Sequence, residues 1–326
     1  MSASGTLSTE ITLFDIPTIH PKPNSPNTWK VRLVLNYKNL NYTTRWVPSS
    51  EIQPTCKALG IPPTGIKFGT KDEPHYTLPA IIDYTRSKTN PVILSDSTPI
   101  IEYLEKEYPS KEENFDSATS GLQDPIPLFP RGTRAFHALM ENFIANHILL
   151  SNIPRLYLMG IYHGKLPADQ IDFRRRMENR FGKPLEEIEA RGEAREKAWK
   201  ELEEAFGKLD TFLKKNQLEL EDDKNSELLR SRGHAKVEAK ATTAHTGADL
   251  GNSPETKDEE KVTNCDWVMG RRVSFSDFVL CGILIFLRSI CEDEDWKRIT
   301  SWNGGRWGKM YSACERWMTV DSTTQL

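Results

Sequence analysis

Ser274-Phe275-Ser276-Asp277 runs straight into Phe278 to Leu287, where no side chain is charged, and this stretch constrains the fold more than any other. A hydroxyl followed three residues later by an acid satisfies free amides at a helix start, so a helix begins here. Its apolar run is too short to span a bilayer. A helix that is apolar on all sides must be enclosed by other structure, which places it at the centre of a helical layer. The chain supplies that layer. Trp199, Leu202, Phe206, Leu209 and Leu213 keep the 3-4-3-4 spacing of a core-facing helix, and Gly132 to Leu150 is rich in apolar residues. Phe173, Met177, Phe181, Leu185 and Ile188 continue at intervals of three and four, with Gly182 and Pro184 expected to break that helix in two. Trp296, Trp302, Trp307 and Trp317 read as packing residues rather than as a base-stacking surface.

The first third of the chain has a different rhythm. From Glu10 to Pro109 short apolar runs alternate with amphipathic helices, the pattern of strands joined by helical crossovers. Ile11 to Ile16 reads as a strand, Pro17, Pro21, Pro23 and Pro26 interrupt it, and Trp29, Leu33, Val34 and Tyr37 resume at helical spacing. Tyr42 to Val47 is a second strand, followed by a Pro- and Gly-rich stretch to Gly69 with a short irregular helix. Leu78 to Asp83 and Val92 to Leu94 read as a hairpin pair, and Ile100, Leu104 and Tyr108 mark a closing helix from about Thr98. The expectation is an α/β domain over residues 10–110, a linker over 111–130, and an all-α domain over 131–326, in keeping with roughly two domains for 326 residues. Inside the helical part, no aromatic residue occurs between Phe212 and Trp267, and charge runs fill the interval. Residues 216–263 are therefore expected to form a disordered insertion, with a regulatory or docking loop as the functional alternative.

Charge excludes some roles. The 43 Lys and Arg against 46 Asp and Glu give a formal net charge of −3, so no global positive field draws in nucleic acid or an anionic membrane surface. Five cysteines, at 56, 265, 281, 291 and 314, include no Cys-x-x-Cys pair, which argues against a zinc ribbon, a disulfide framework or a dithiol redox centre and favours a reducing compartment. The amino terminus has neither a basic start nor an apolar stretch, so the expected location is the cytosol. His137 and His147 have no carboxylate or metal partner in sequence, and no metal is assigned.

Three segments could carry chemistry. Asn24 to Arg32 follows the first strand and opens the first helix, where Ser25 is placed to cap it. Unpaired amides and the helix dipole there favour an anion such as a thiolate, and a plain N-cap is the structural alternative. In Tyr76-Thr77-Leu78-Pro79-Ala80-Ile81 a proline at a strand marks an edge, a bulge or a cis bond that turns backbone toward a ligand. Leu94-Ser95-Asp96-Ser97-Thr98 runs from a strand into a helix start, where amides can hold a carboxylate while the acid meets an ammonium; helix capping is again the alternative.

Leu78-Pro79, Asp96-Ser97 and Ser274 to Asp277, in that order, resemble the glutathione transferase superfamily over nearly the whole chain. More narrowly, Ser25 to Arg32, Asn36 to Tyr42 and Tyr76 to Pro79 look like fungal glutathione transferases related to bacterial beta-etherases. The resemblance implies a thioredoxin-like N-terminal domain and an all-helical C-terminal domain, with glutathione as co-substrate. Leu78 would offer its backbone to the cysteinyl part of glutathione, with Pro79 cis, while Asp96 and Ser97 hold the γ-glutamyl end. Ser25 would sit near the sulfur, with Asn27 as a second candidate, and Cys56 is the one cysteine left open as a thiol-exchange group. A second, small and hydrophobic electrophile, aromatic in kind, would bind between the domains near Phe136, Met140, Phe143, His147 and Tyr157, each of which also reads as core. The resemblance implies a homodimer and an activated thiolate used for conjugation, ether cleavage or isomerisation. The competing expectation is a non-catalytic ligand carrier or regulatory protein on the same fold.

Overall fold

The computed structural model describes residues 8–20, 22–67, 69–110, 126–216, 267–270 and 272–321. The expected insertion from residue 217 on, and residues 111–125 of the expected linker, lie outside the described residues. Strand β1 (Ile11–Asp15) leads through the proline-rich loop into α1 (Pro26–Tyr37), and β2 (Tyr42–Trp46) returns parallel to β1. A 3-10 turn, Ser49–Glu51, precedes α2 (Ile52–Leu59), which Gly60 ends in the left-handed conformation with φ 67°. Strands β5 (Ala80–Asp83) and β6 (Val92–Ser95) are antiparallel and feed α3 (Ser97–Glu107). The main sheet runs β2-β1-β5-β6. Between α2 and β5 lies a hairpin that the sequence reading did not contain, β3 (Gly65–Ile66) with β4 (Pro74–His75). Each strand has two exposed residues, too few for apolar alternation to register.

The helices follow as α4 (Arg134–Ile144), α5 (Ile153–His163), α6 (Pro167–Phe181), α7 (193–216), α8 (Phe275–Ile290) and α9 (Asp293–Cys314). The apolar segment from Gly132 to Leu150 carries α4 and then a π-helical turn, Ala145–Leu149, before α5. Left-handed Gly182 stops α6, as the Gly-x-Pro pattern anticipated. A break inside α9, where Asn303, Gly304 and Gly305 take positive φ, was not foreseen.

Packing explains the arrangement. In α8 every residue from Phe275 to Leu287 is buried, and Asp277 accepts from the N–H and Oγ of Ser274 at 2.8 and 2.7 Å and from Val268 N–H at 2.7 Å. Helix α1 is sandwiched between the sheet and α8, so Trp29, Val31, Leu33, Val34 and Leu35 are buried around its circumference. Contact is close enough that a Cβ on Gly282 would lie 2.6 Å from the Pro26 carbonyl oxygen, so only glycine lets α8 meet the start of α1. Fully buried Arg32 pairs with Asp15 at 2.8 Å among the rings of Trp29, Tyr42 and Trp46. It also donates to Asp321 Oδ1 at 3.2 Å, while Asp321 Oδ2 accepts Thr44 N–H at 2.7 Å, which fastens the segment after α9 to β2.

The cysteine reading needs a correction. Cys281 on α8 and Cys314 at the end of α9 form a disulfide across 33 residues of sequence. Helix packing, not sequence spacing, brings them together, so the absence of a Cys-x-x-Cys pair carried no information about this bond.

Candidate functional site

Register fixes which strand ends meet. Phe14 pairs with Ala80 and Ala80 with Ser95, while Trp46 pairs with Asp15. The loop into α1, the residues before β5, the junction into α3 and the start of α2 therefore share one edge of the sheet. Open α/β sheets gather ligand sites at such strand ends.

Ser25 is the N-cap of α1, with Pro26 in the first turn. Its Oγ accepts Thr28 N–H at 3.3 Å and the Thr28 hydroxyl at 3.0 Å. An oxygen that already accepts two bonds is left with its own proton to donate. The half-buried hydroxyl is thus both a structural cap and a donor at the positive end of α1, so the two sequence readings are compatible. Asn27, two residues on, is exposed and lines a cavity with Asp96 and Ser97.

The Leu78-Pro79 peptide bond is cis. The residues lie just ahead of β5 rather than inside it: pairing begins at Ala80, so Leu78 stands outside both ladders. Pro79 carbonyl accepts Asp96 N–H at 3.1 Å, which joins this edge to the start of α3. Asp96 is the N-cap of α3 at φ 74°, yet its side chain makes no capping bond. A non-glycine residue held there costs about 1–3 kcal/mol and persists where the surroundings dictate it. Its carboxylate is exposed, and buried Ser97 follows as the first helical residue. Asn27, Asp96 and Ser97 share a cavity of about 450 Å³ with Glu141 of α4 and with Val279 and Ile283 of α8. Glu141 is occupied on both oxygens, by Lys30 Nζ at 2.6 Å and by Thr98 Oγ1 at 2.8 Å.

Leu78 opens on its other side to a cleft of about 880 Å³ that sequence reasoning missed, bounded by Tyr76, α2 and α6. Its far wall includes Lys165, Phe173, Arg175 and Arg176. The sequence reading passed over Arg174-Arg175-Arg176, and nothing in sequence places that run opposite Leu78. The residues expected along the second-substrate cleft lie elsewhere. Tyr157 is in the core and donates to Asp295 Oδ2 at 3.0 Å, and Met140 is buried. Phe136, Met140, Phe143 and His147 border a groove between α4 and α7, apart from the cleft beside Leu78. The core reading therefore holds for Met140 and Tyr157; a helical period identifies a face but not its neighbour.

Cys56 packs with Phe14, Val47 and Leu78 in a second core cluster, and burial pushes its thiol upward. It is therefore no poised nucleophile. His137 is buried against Ser276 Oγ at 2.7 Å. Among the described residues no three His, Cys, Asp or Glu side chains could hold a metal ion, and no helix is long and apolar enough to cross a membrane.

Fold and site edge together define a thioredoxin-like domain joined to a helical domain. The family models agree: the glutathione S-transferase N-terminal domain matches residues 24–107 and the glutathione S-transferase C-terminal domain matches 135–226 and 224–317. The chain belongs to the glutathione S-transferase superfamily. It is similar to the glutathione transferase GSTFuA3 from Phanerochaete chrysosporium, with 29% identity, TM-score 0.69, and coverage of 96% of this chain and 98% of that one. A glutathione S-transferase of Ceriporiopsis subvermispora, solved in complex with glutathione, matches at 27% identity and TM-score 0.70 over 96% and 99% of the two chains. Among curated proteins, the glutathione S-transferase-like protein ustS of Aspergillus flavus is 35% identical over 127 residues, which is 38% of this chain and 39% of that protein.

Proposed function

We propose that the protein is a glutathione-dependent transferase that activates the glutathione thiol at Ser25 for attack on a small electrophilic carbon. The observation that carries this reading is the Ser25 hydroxyl, supplied with two bonds by Thr28 and so left to donate at the start of α1. The cysteinyl backbone would pair with Leu78 across the cis bond. The γ-glutamyl ammonium would meet Asp96, and its carboxylate the amides and hydroxyl at Ser97. A similar protein solved with glutathione supports the ligand. Thiolate attack forms the C–S bond, the step that conjugation, ether cleavage and glutathione-assisted isomerisation share. In displacement, ether cleavage included, the leaving group departs with its bonding pair; in isomerisation the π pair of the attacked double bond shifts onto the substrate and the C–S bond later breaks to return the thiolate. Ser25 is the first-choice donor and Asn27 the second. We place the protein in the cytosol as a homodimer, with the exposed apolar side chains of Leu139 and Phe212 on the α4–α7 face packing against a second copy.

Ultraviolet titration of the glutathione complex tests the reading. A bound thiol pKa well below the free value supports activation, whereas binding without a shift favours a carrier.

A further inference from the structure

Two residues that line the cleft beside Leu78, Ser49 and Ser50, donate their N–H groups to the buried carboxylate of Asp169 on α6, both at 2.9 Å. Helical and sheet walls are thereby held in fixed register. Their charge is one-sided: Lys57 and Lys67 project from the sheet side and Lys165, Arg175 and Arg176 from the helical side, against the single carboxylate of Asp172. Asp172 is taken up by Arg175 and by Arg176 Nε at 2.8 Å, and Lys67 is paired with Glu73 at 2.8 Å. Lys57 and Lys165 form no ion pair among the described residues and rest against rings instead, Lys57 Nζ 5.9 Å from Tyr76 and Lys165 Nζ 5.0 Å from Phe173. Burial, and then the nearby Arg176 charge, push Lys165 below the usual lysine value despite Asp169 and Asp172. A partly desolvated ammonium in a field of like sign gains most from a bound anion.

We propose that this cleft selects an anionic second substrate: an aromatic electrophile bearing a carboxylate, its ring against Phe173 and Ile16 and its carboxylate on Lys165 and Arg176. The inference rests on the transferase reading above and narrows its substrate class. Glutathione does not account for the cluster. With its γ-glutamyl carboxylate at Ser97, its one remaining carboxylate would run from Leu78 toward α2 and Lys57, leaving Lys165 on the helical side without an anion.

An inert pair separates this inference from the reaction. Isothermal titration of the protein saturated with S-methylglutathione should show 4-methylbenzoate binding at least about tenfold more tightly than its methyl ester, the effect of one charge-assisted hydrogen bond. Lys165→Met, which keeps the packing on Phe173, and Arg176→Gln should each erase most of that preference without weakening S-methylglutathione. Equal affinity for acid and ester overturns the inference, as does a preference that survives both substitutions. Weakened S-methylglutathione binding in these variants also overturns it, because the cluster would then serve glutathione. Turnover of 4-(chloromethyl)benzoate and its methyl ester, with chloride displaced by the thiolate, tests the transferase reading separately. Failure of both as substrates sinks that reading, while the binding preference still decides this one.

Discussion

Replacing Ser25 by alanine removes one donor and leaves the helix start in place. In the protein, Thr28 supplies the Ser25 oxygen with two bonds, at 3.3 and 3.0 Å, so the serine proton is the one available for a thiolate. A hydrogen bond to a charged group is worth about 1.5–3 kcal/mol, and one pKa unit is about 1.4 kcal/mol, so Ser25→Ala should raise the bound thiol pKa by about one to two units. The dipole of α1 keeps contributing about 0.3–1 kcal/mol, so the pKa should stay below that of free glutathione. The same change removes an N-cap and costs about 1 kcal/mol of stability, which thermal unfolding reads independently. Thiolate absorbance followed across pH on saturated protein, with unliganded protein as blank, gives the shift. Ser25→Thr should restore the value, since it keeps both cap and donor. An unchanged pKa in Ser25→Ala would refute the assignment and move the role to Asn27 or to backbone amides alone.

Other perturbations probe the surrounding structure. Asp96→Asn removes the counter-charge for an ammonium, and calorimetry should show S-methylglutathione bound about tenfold or more weakly. Gly282→Ala forces a Cβ toward Pro26, 2.6 Å from its carbonyl oxygen, and should cost about 1–3 kcal/mol in denaturant unfolding while also disturbing the thiol pKa through α1. Burial, with Arg134 adding to it, lowers His137 from 6.5 to about 4. The unfolded chain thus takes up this proton at higher pH than the folded one. Stability from this group is full above about pH 6.5 and is lost as pH falls toward 4, by about 3 kcal/mol in all. Chemical unfolding of His137→Gln should show a flatter pH dependence across that window. Leu139→Glu, at a 72% exposed position, should shift the sedimentation coefficient from dimer to monomer if the α4–α7 face is the self-contact.

The sequence by itself determined elements whose signal is local. The capping box at Ser274 and Asp277 is read within four residues, and the apolar run after it forces a central helix because no face can meet water. Short apolar runs placed β1, β2, β5 and β6, Ser25 was legible as a cap, and Leu78-Pro79 as a special edge because proline cannot donate to a ladder. Tertiary structure decided whatever depended on a second element approaching from elsewhere. It brought Cys281 to Cys314 and joined Asp96 to Pro79. It set the cations of α6 across from Leu78 and turned Phe136 and Phe143 away from the cleft. Helical periodicity states that a face is buried or exposed but not against what. That choice is made by the packing of α8, whose Gly282 alone permits the close approach that fixes where α1 starts and so where Ser25 stands.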